Sequence, residues 1–204
     1  MAVKLTKNEL KNQKDQLKQF QRYLPTLELK KQQLQTIEMQ IEAEKERVQR
    51  ELDGAADRLD GWIAVFSENA SFPPEKQLDT LIKPERIVYG EENVAGVRVP
   101  VYKELKFEDE TYDAADYPLW VDAAVEKLRD IARLDAQIKV LNRRHELISN
   151  ELRSTSQRVN LFEKVMIPNA IENIRVISIY LSDQMTADVV RGKIAKKKLQ
   201  EATQ

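Results

Sequence analysis

Apolar residues recur seven apart through the first part of the chain, at Phe20, Leu27, Leu34, Ile41, Val48, Ala55 and Trp62. A companion line reads Leu10, Leu17, Leu24, then Lys31, Glu38, Lys45, then Leu52, Leu59, Phe66. A later stretch steps alternately by three and four: Ile131, Leu134, Ile138, Leu141, His145, Ile148, Leu152, Thr155, Val159, Phe162, Met166. Such spacing puts both lines on one narrow stripe of a helix, which is the signature of a coiled coil. Helices of a globular bundle would be shorter and carry a wider apolar face.

Helix breakers divide the chain into three parts. Residues 1–66 contain one proline, Pro25, and residues 119–190 contain one, Pro168; the other five fall in 67–118. The centre also holds "RIVYGEENVAGVRVPVYKELKF", rich in Val, Ile and Tyr, with Gly90, Asn93 and Gly96 as turn residues. It predicts a β-hairpin, with Pro100 barred from any central strand. Phe72-Pro73-Pro74 and Lys83-Pro84 punctuate the centre, and Tyr117-Pro118 marks a helix start. The expected fold is therefore mainly α: a long antiparallel two-helix coiled coil with a small central β-hairpin head. Its parts are an N-terminal helix (1–66), the head (67–118), and a C-terminal helix with a basic tail (119–204).

The centre joins the arms at one end, so they pair antiparallel. Setting Phe66 opposite Val121 brings Pro25 opposite Phe162 and Pro168 opposite Gln19. Each proline removes a helical hydrogen bond and crowds the preceding turn, so a shared bend is expected at that level. An arm of this size would span about 90 Å at 1.5 Å per residue.

Composition narrows the function. One third of the 204 residues are charged, 33 Lys+Arg against 34 Asp+Glu, with a mean hydropathy of −0.56. That leaves too little apolar material to fill a sphere, while 42% hydrophobic residues is too much for charge-driven disorder. The absence of cysteine excludes a disulfide scaffold and thiolate metal sites and suits a reducing cytosol. No run approaches 18 apolar residues and no apolar signal region opens the chain, so a cytoplasmic protein without membrane insertion is expected.

Charge is uneven. Residues 1–31 carry eight basic and three acidic groups, and 67–118 carry six basic and twelve acidic. In an antiparallel pair the basic ends, with Lys4, Lys7 and Lys11 on one side and Arg191, Lys193, Lys196, Lys197 and Lys198 on the other, gather at one tip. Solvation of frayed ends would account for the same lysines.

Reactive constellations are missing. There is no GxxxxGK[ST] or GxGxxG spacing, and one histidine cannot build the usual zinc or facial-triad sets. His145 occupies a seam position, where packing explains it as well as a pH response does. Glu91-Glu92 or Glu108-Asp109-Glu110 could hold a divalent cation, yet an exposed acidic loop needs none. The mixed charge and few aromatics argue against nucleic acid. The reading is a non-catalytic protein without cofactor or metal. Partner binding fits better: Val140, Leu147 and Leu161 form a line beside the seam, and Ile37 and Met39 lie off the first arm's stripe. Together they make an apolar flank suited to a docked protein.

Two segments then resemble a known family. "NVAGVRVPVYKEL" (Asn93 to Leu105) and "TSQRVNLFEKVMIPNAIENI" (Thr155 to Ile174) are similar to the D subunit of the rotary V-type ATPases and ATP synthases. Asn93, Gly96, Val97 and Pro100 match the hairpin motif. Asn142-Arg143-Arg144, Arg158-Val159-Asn160, Glu163, Ile167-Pro168 and Glu172 fall in the C-terminal pattern, and "QRYLPTLELKKQQLQ" (Gln21 to Gln35) resembles the bacterial branch. The resemblance implies a central-stalk rotor shaft, peripheral to the membrane as part of the ATPase complex. It implies partners: the A and B subunits of the catalytic hexamer at the basic tip, the F subunit lower down, and the cap of the membrane ring at the foot. The tip lysines and Arg191 are then hexamer-contact candidates, and Ile37, Met39, Val140, Leu147 and Leu161 candidates for docking the F subunit. Asn93, Gly96, Pro100, Pro25 and Pro168 carry structure. The competing reading is a non-rotary coiled-coil adaptor, for which the rod alone would serve equally well.

Overall fold

A computed structural model of the chain describes residues 3–67, 78–108 and 117–202. Helix α1 runs Lys7–Asp60, short helices α2 and α3 cover Ile63–Phe66 and Leu78–Leu81, and strands β1 (Pro84–Val94) and β2 (Val97–Phe107) follow. Helix α4 spans Trp120–Leu161, a π turn occupies Phe162–Met166, and α5 runs Ile167–Ala202. Mainly helical content with one antiparallel hairpin is the fold class that the heptads and turn residues predict. Phe72-Pro73-Pro74 and Asp109-Glu110 lie outside the described residues.

The chain forms two compact units, Met1–Lys31 with Ser154–Gln204, and Gln32–Arg153. In the first, α1 and the C-terminal helix pair antiparallel. Phe20 and Phe162 meet edge to face with centroids 5.3 Å apart, and Asn173 donates from Nδ2 to Gln13 Oε1 at 3.3 Å. Thr155, Val159, Ala170 and Ile177 are buried between the helices. Gln13, seven before Phe20, continues the seam as a polar layer and also donates to Glu9 at 2.8 Å. A hydrogen-bonded amide pair in an otherwise apolar seam is satisfied only at one register, so it fixes alignment.

In the second unit Leu34, Ile41 and Val48 of α1 and Ala136, Leu141 and Ile148 of α4 are buried, with Leu34, Ile41 and Ile148 in one cluster. Glu38, within the polar run of the companion line, has its reason here. Glu38 and Glu42 reach His145 Nε2 at 4.0 and 3.4 Å, so a polar seam residue meets acids rather than a leucine. A smaller cluster joins Leu78, Leu81, Val121 and Val125 with Phe66 and Trp120, and the rings of Phe66 and Trp120 meet edge-on at 6.1 Å. Helix α4 starts where Tyr117-Pro118 predicts, with Val121 N–H donating to Pro118 O at 3.0 Å.

Two local expectations change. The seventh seam match, Trp62, falls in the turn after Gly61 and stacks on Phe66 rather than continuing α1. Helix α1 stays α-helical through Pro25. Pro25 and Gln21, whose carbonyl loses its donor, are both exposed, and water can satisfy that group. The departure from α geometry is one-sided: just before Pro168, Ile167 N–H bonds to Phe162 O.

Candidate functional site

The hairpin is closed by a two-residue turn, Ala95-Gly96, both with positive φ (50° and 84°). Two such residues define the type I′ turn whose twist matches paired strands. Asn93 Oδ1 accepts from Gly96 N–H at 3.0 Å and pins the turn from its flank. Asn93 and Gly96 thus serve as the sequence predicts. Gly90 does not: it lies in mid-strand opposite Val101, beneath the side chain of Lys103. Lys103 is the extra residue of a bulge, between the pairs Val88↔Glu104 and Tyr89↔Tyr102. Pro100 pairs with Glu91 in a sheet of two strands, where each strand is an edge and a missing N–H is tolerated.

Alternation then puts Val94, Val97 and Val99 on one face, and that face packs on the coil. Val94 and Val99 join Leu34, Ile41 and Ile148 in one buried cluster, with Ile37, Ala95, Leu147 and Leu152 around it. Polar contacts secure the same docking. Arg144, 19% exposed at its side chain, holds Glu92 at 3.2 Å. Arg129 and Arg133 lie over the Phe107 ring at 5.1 and 5.5 Å, and Arg129 also donates to Leu81 O at 2.9 Å.

This docking redefines the apolar flank. Val140 is buried, and Ile37 and Leu147 pack against the cluster that the chain's own hairpin shares with the coil. Only Met39 and Leu161 of the five flank residues stay open, 62% and 47% exposed. Beside the hairpin lies a groove whose apolar lining is Ile87, Tyr89, Val99, Pro100, Val140 and Leu147. Arg98, Lys139, Arg143 and Glu91 complete the lining. The sequence could not show that an internal strand face occupies the line, since periodicity identifies an apolar stripe but not its occupant.

The basic candidates Lys4, Lys7, Lys11, Arg191, Lys193, Lys196, Lys197 and Lys198 are all exposed and belong to the unit that holds both termini. Arg191 pairs with Asp188 at 3.0 Å and Lys197 with Glu201 at 3.7 Å. With Asn173 level with Gln13, the first three run beside roughly residues 175–182. The tail lysines therefore follow them along α5 rather than facing them.

Burial raises the Tyr102 phenol above its ordinary value, against the opposing pull of Arg133. The Arg175 guanidinium lowers the carboxyl of exposed Glu172 through a hydrogen bond of 2.7 Å. Among the described residues no three His, Asp or Glu side chains converge as metal ligands, and no helix is long and apolar enough to cross a membrane.

A family profile described as that of the ATP synthase D subunit matches residues 9–197. The chain belongs to the ATP synthase D-subunit family. Relatives within it are similar over nearly their whole length. A protein of Borreliella burgdorferi, named as the D subunit of a V-type ATP synthase, is 46% identical over 197 residues, covering 97% of this chain and 95% of that one. The proteins of the same name from Chlamydia abortus and Chlamydia trachomatis serovar L2 are 37% and 34% identical, each over 98% of this chain and 94% and 97% of theirs. For a D-subunit family member, the Asn93–Gly96 turn and the Ile167-Pro168 segment, which carry the resemblance in sequence, are also places where the backbone departs from regular geometry.

Proposed function

We propose that this chain is the central-stalk rotor shaft of a V-type ATP synthase or ATPase. In this reading it couples ATP turnover in the A/B catalytic hexamer to ion translocation by the membrane ring. The carrying observation is a near-full-length relation to proteins named as V-type ATP synthase D subunits, on a fold of paired long helices with both termini in one unit. A shaft needs stiffness and unlike faces more than reactive side chains. Two different helices zipped in one register give three surrounding interfaces three different profiles. Coupling then arises from the difference in contact energy between open and closed interfaces. The three-part division 1–66, 67–118 and 119–204 would correspond to one leg, a basal head and the returning leg. The basic residues of the terminal unit are the groups assigned to the hexamer, and Met39 and Leu161 are the flank residues open to the F subunit. The protein works peripheral to the membrane, in the cytoplasm, with the ring cap at its foot.

Co-purification from the native host tests this. A tagged chain should bring down A, B and F subunits in a complex whose ATP hydrolysis drives ion transport, and a complex lacking the chain should hydrolyse ATP without transport. Recovery of the chain without catalytic subunits would defeat the proposal.

A further inference from the structure

The buried line of the C-terminal helix leaves its own repeat at Met166. Through Thr155, Val159, Phe162 and Met166 it steps by four, three and four. Continued, the repeat would turn Asn169, Asn173, Val176 and Tyr180 inward. The structure turns Ala170, Ile174, Ile177 and Leu181 inward instead. Ala170 is 3% and Ile177 0% exposed, whereas Val176 and Tyr180 are each 39% exposed. Ile174 and Leu181 are half-buried and Asn169 is exposed. At three of the four levels the inward residue is displaced by one; at the fourth Asn173 and Ile174 are both half-buried, Asn173 through its bond to Gln13.

The extra residue lies in the π turn, where Ile167 N–H reaches back five residues to Phe162 O. One additional residue in an α-helix rotates everything beyond it by about 100°, and a single π turn absorbs one residue without that rotation. Pro168 alone does not require the π turn. Pro25 sits in α1, equally exposed, and α1 keeps its α geometry there. The difference is the seam: Gln13, Phe20 and Leu27 stay in step across α1, so that helix has nothing to absorb.

We propose that Phe162–Met166 is a phase joint. It stores the one residue by which the C-terminal repeat falls out of step, and so keeps one seam continuous from Thr155 to Leu181. The joint has a second setting. If the turn closes to α geometry at unchanged chain length, Val176 and Tyr180 swing inward and Ile177 outward. The four apolar residues of the seated phase hold it against the alternative, which would bury Asn169.

The chain has no cysteine, so a single introduced thiol reports the phase. In the full-length protein, Ile177→Cys should react with a maleimide about tenfold more slowly than Val176→Cys, as expected of a seam residue beside an open one. Deleting Lys164 consumes the stored residue; combined with Pro168→Ala, which removes the ring that would crowd a closed turn, it should preserve that order of rates. Its melting temperature should be no lower than that of Pro168→Ala alone. Reversed or equal rates in the deletion variant, loss of its helical circular dichroism, or equal rates in the parent chain would each overturn the joint. An ordinary α-helical seam shortened by one residue would give the first of these.

Discussion

Gly96 and Tyr102 show how single residues carry the hairpin. With φ at 84°, Gly96 occupies a conformation that side chains disfavour by about 1–2 kcal/mol. Gly96→Ala should therefore lower hairpin stability by that amount, read as a fall in the melting midpoint with Ala95→Gly as the permissive control. Tyr102 sets a pH limit. Its phenol is raised above 10.0 by burial, so the unfolded chain deprotonates first. The contribution to stability is complete below pH 10 and is lost as pH rises through the folded value. Tyr102→Phe should extend alkaline stability, and unchanged alkaline unfolding would show that the site is already wet. Asn93 and Gly96 were legible because turn chemistry is local. Ala95 was not, since nothing about an alanine announces a positive φ; the structure imposes it through the type I′ geometry that Gly96 and Asn93 begin. Gln13 and Asn173 were also hidden, because a polar seam pair is visible only once register is known.

Among the elements, the helices were written most clearly. Seven-residue spacing survives substitution of individual seam positions, as the Lys31, Glu38 and Lys45 run shows. Legibility failed where the spacing itself changed: the repeat stops at Met166, and the sequence of Ala170, Ile174, Ile177 and Leu181 resumes one residue later. Searching each helix for a second phase would have found it. The docking of the hairpin on the coil was not legible, because alternation in β2 gives an apolar face without saying what it meets. That docking is tested at its centre. Ile148 is fully buried beneath Val94 and Val99, and Ile148→Ala should cost about 2–5 kcal/mol. Because the cluster is shared, the variant should also raise the reactivity of a thiol at position 99; protection left intact there would show that the hairpin holds without the helix.

At the scale of the molecule, charge and exposure describe its relation to surroundings. Changing Lys196, Lys197 and Lys198 to Gln should weaken retention in the catalytic assembly, most visibly at raised salt, where the remaining ion pairs are screened. Equal coupling of ATP turnover to transport at low and high ionic strength would remove electrostatics from that contact. Function at this scale was readable only through family resemblance: heptads and composition fit a tether as well as an axle.

The pairing of Gln13 with Asn173 has one more implication. Helix α1 begins at Lys7, so the final turns of α5 outrun their companion, and every residue from Asp188 to Glu201 is exposed. Met185, Val189 and Ile194 there each leave more than half of their surface open, at 58%, 58% and 52%. A solitary helix of that length is marginal in water. On the proposed rotor reading, the last turns are a finger made to be gloved, ordered by the wall that the hexamer would supply.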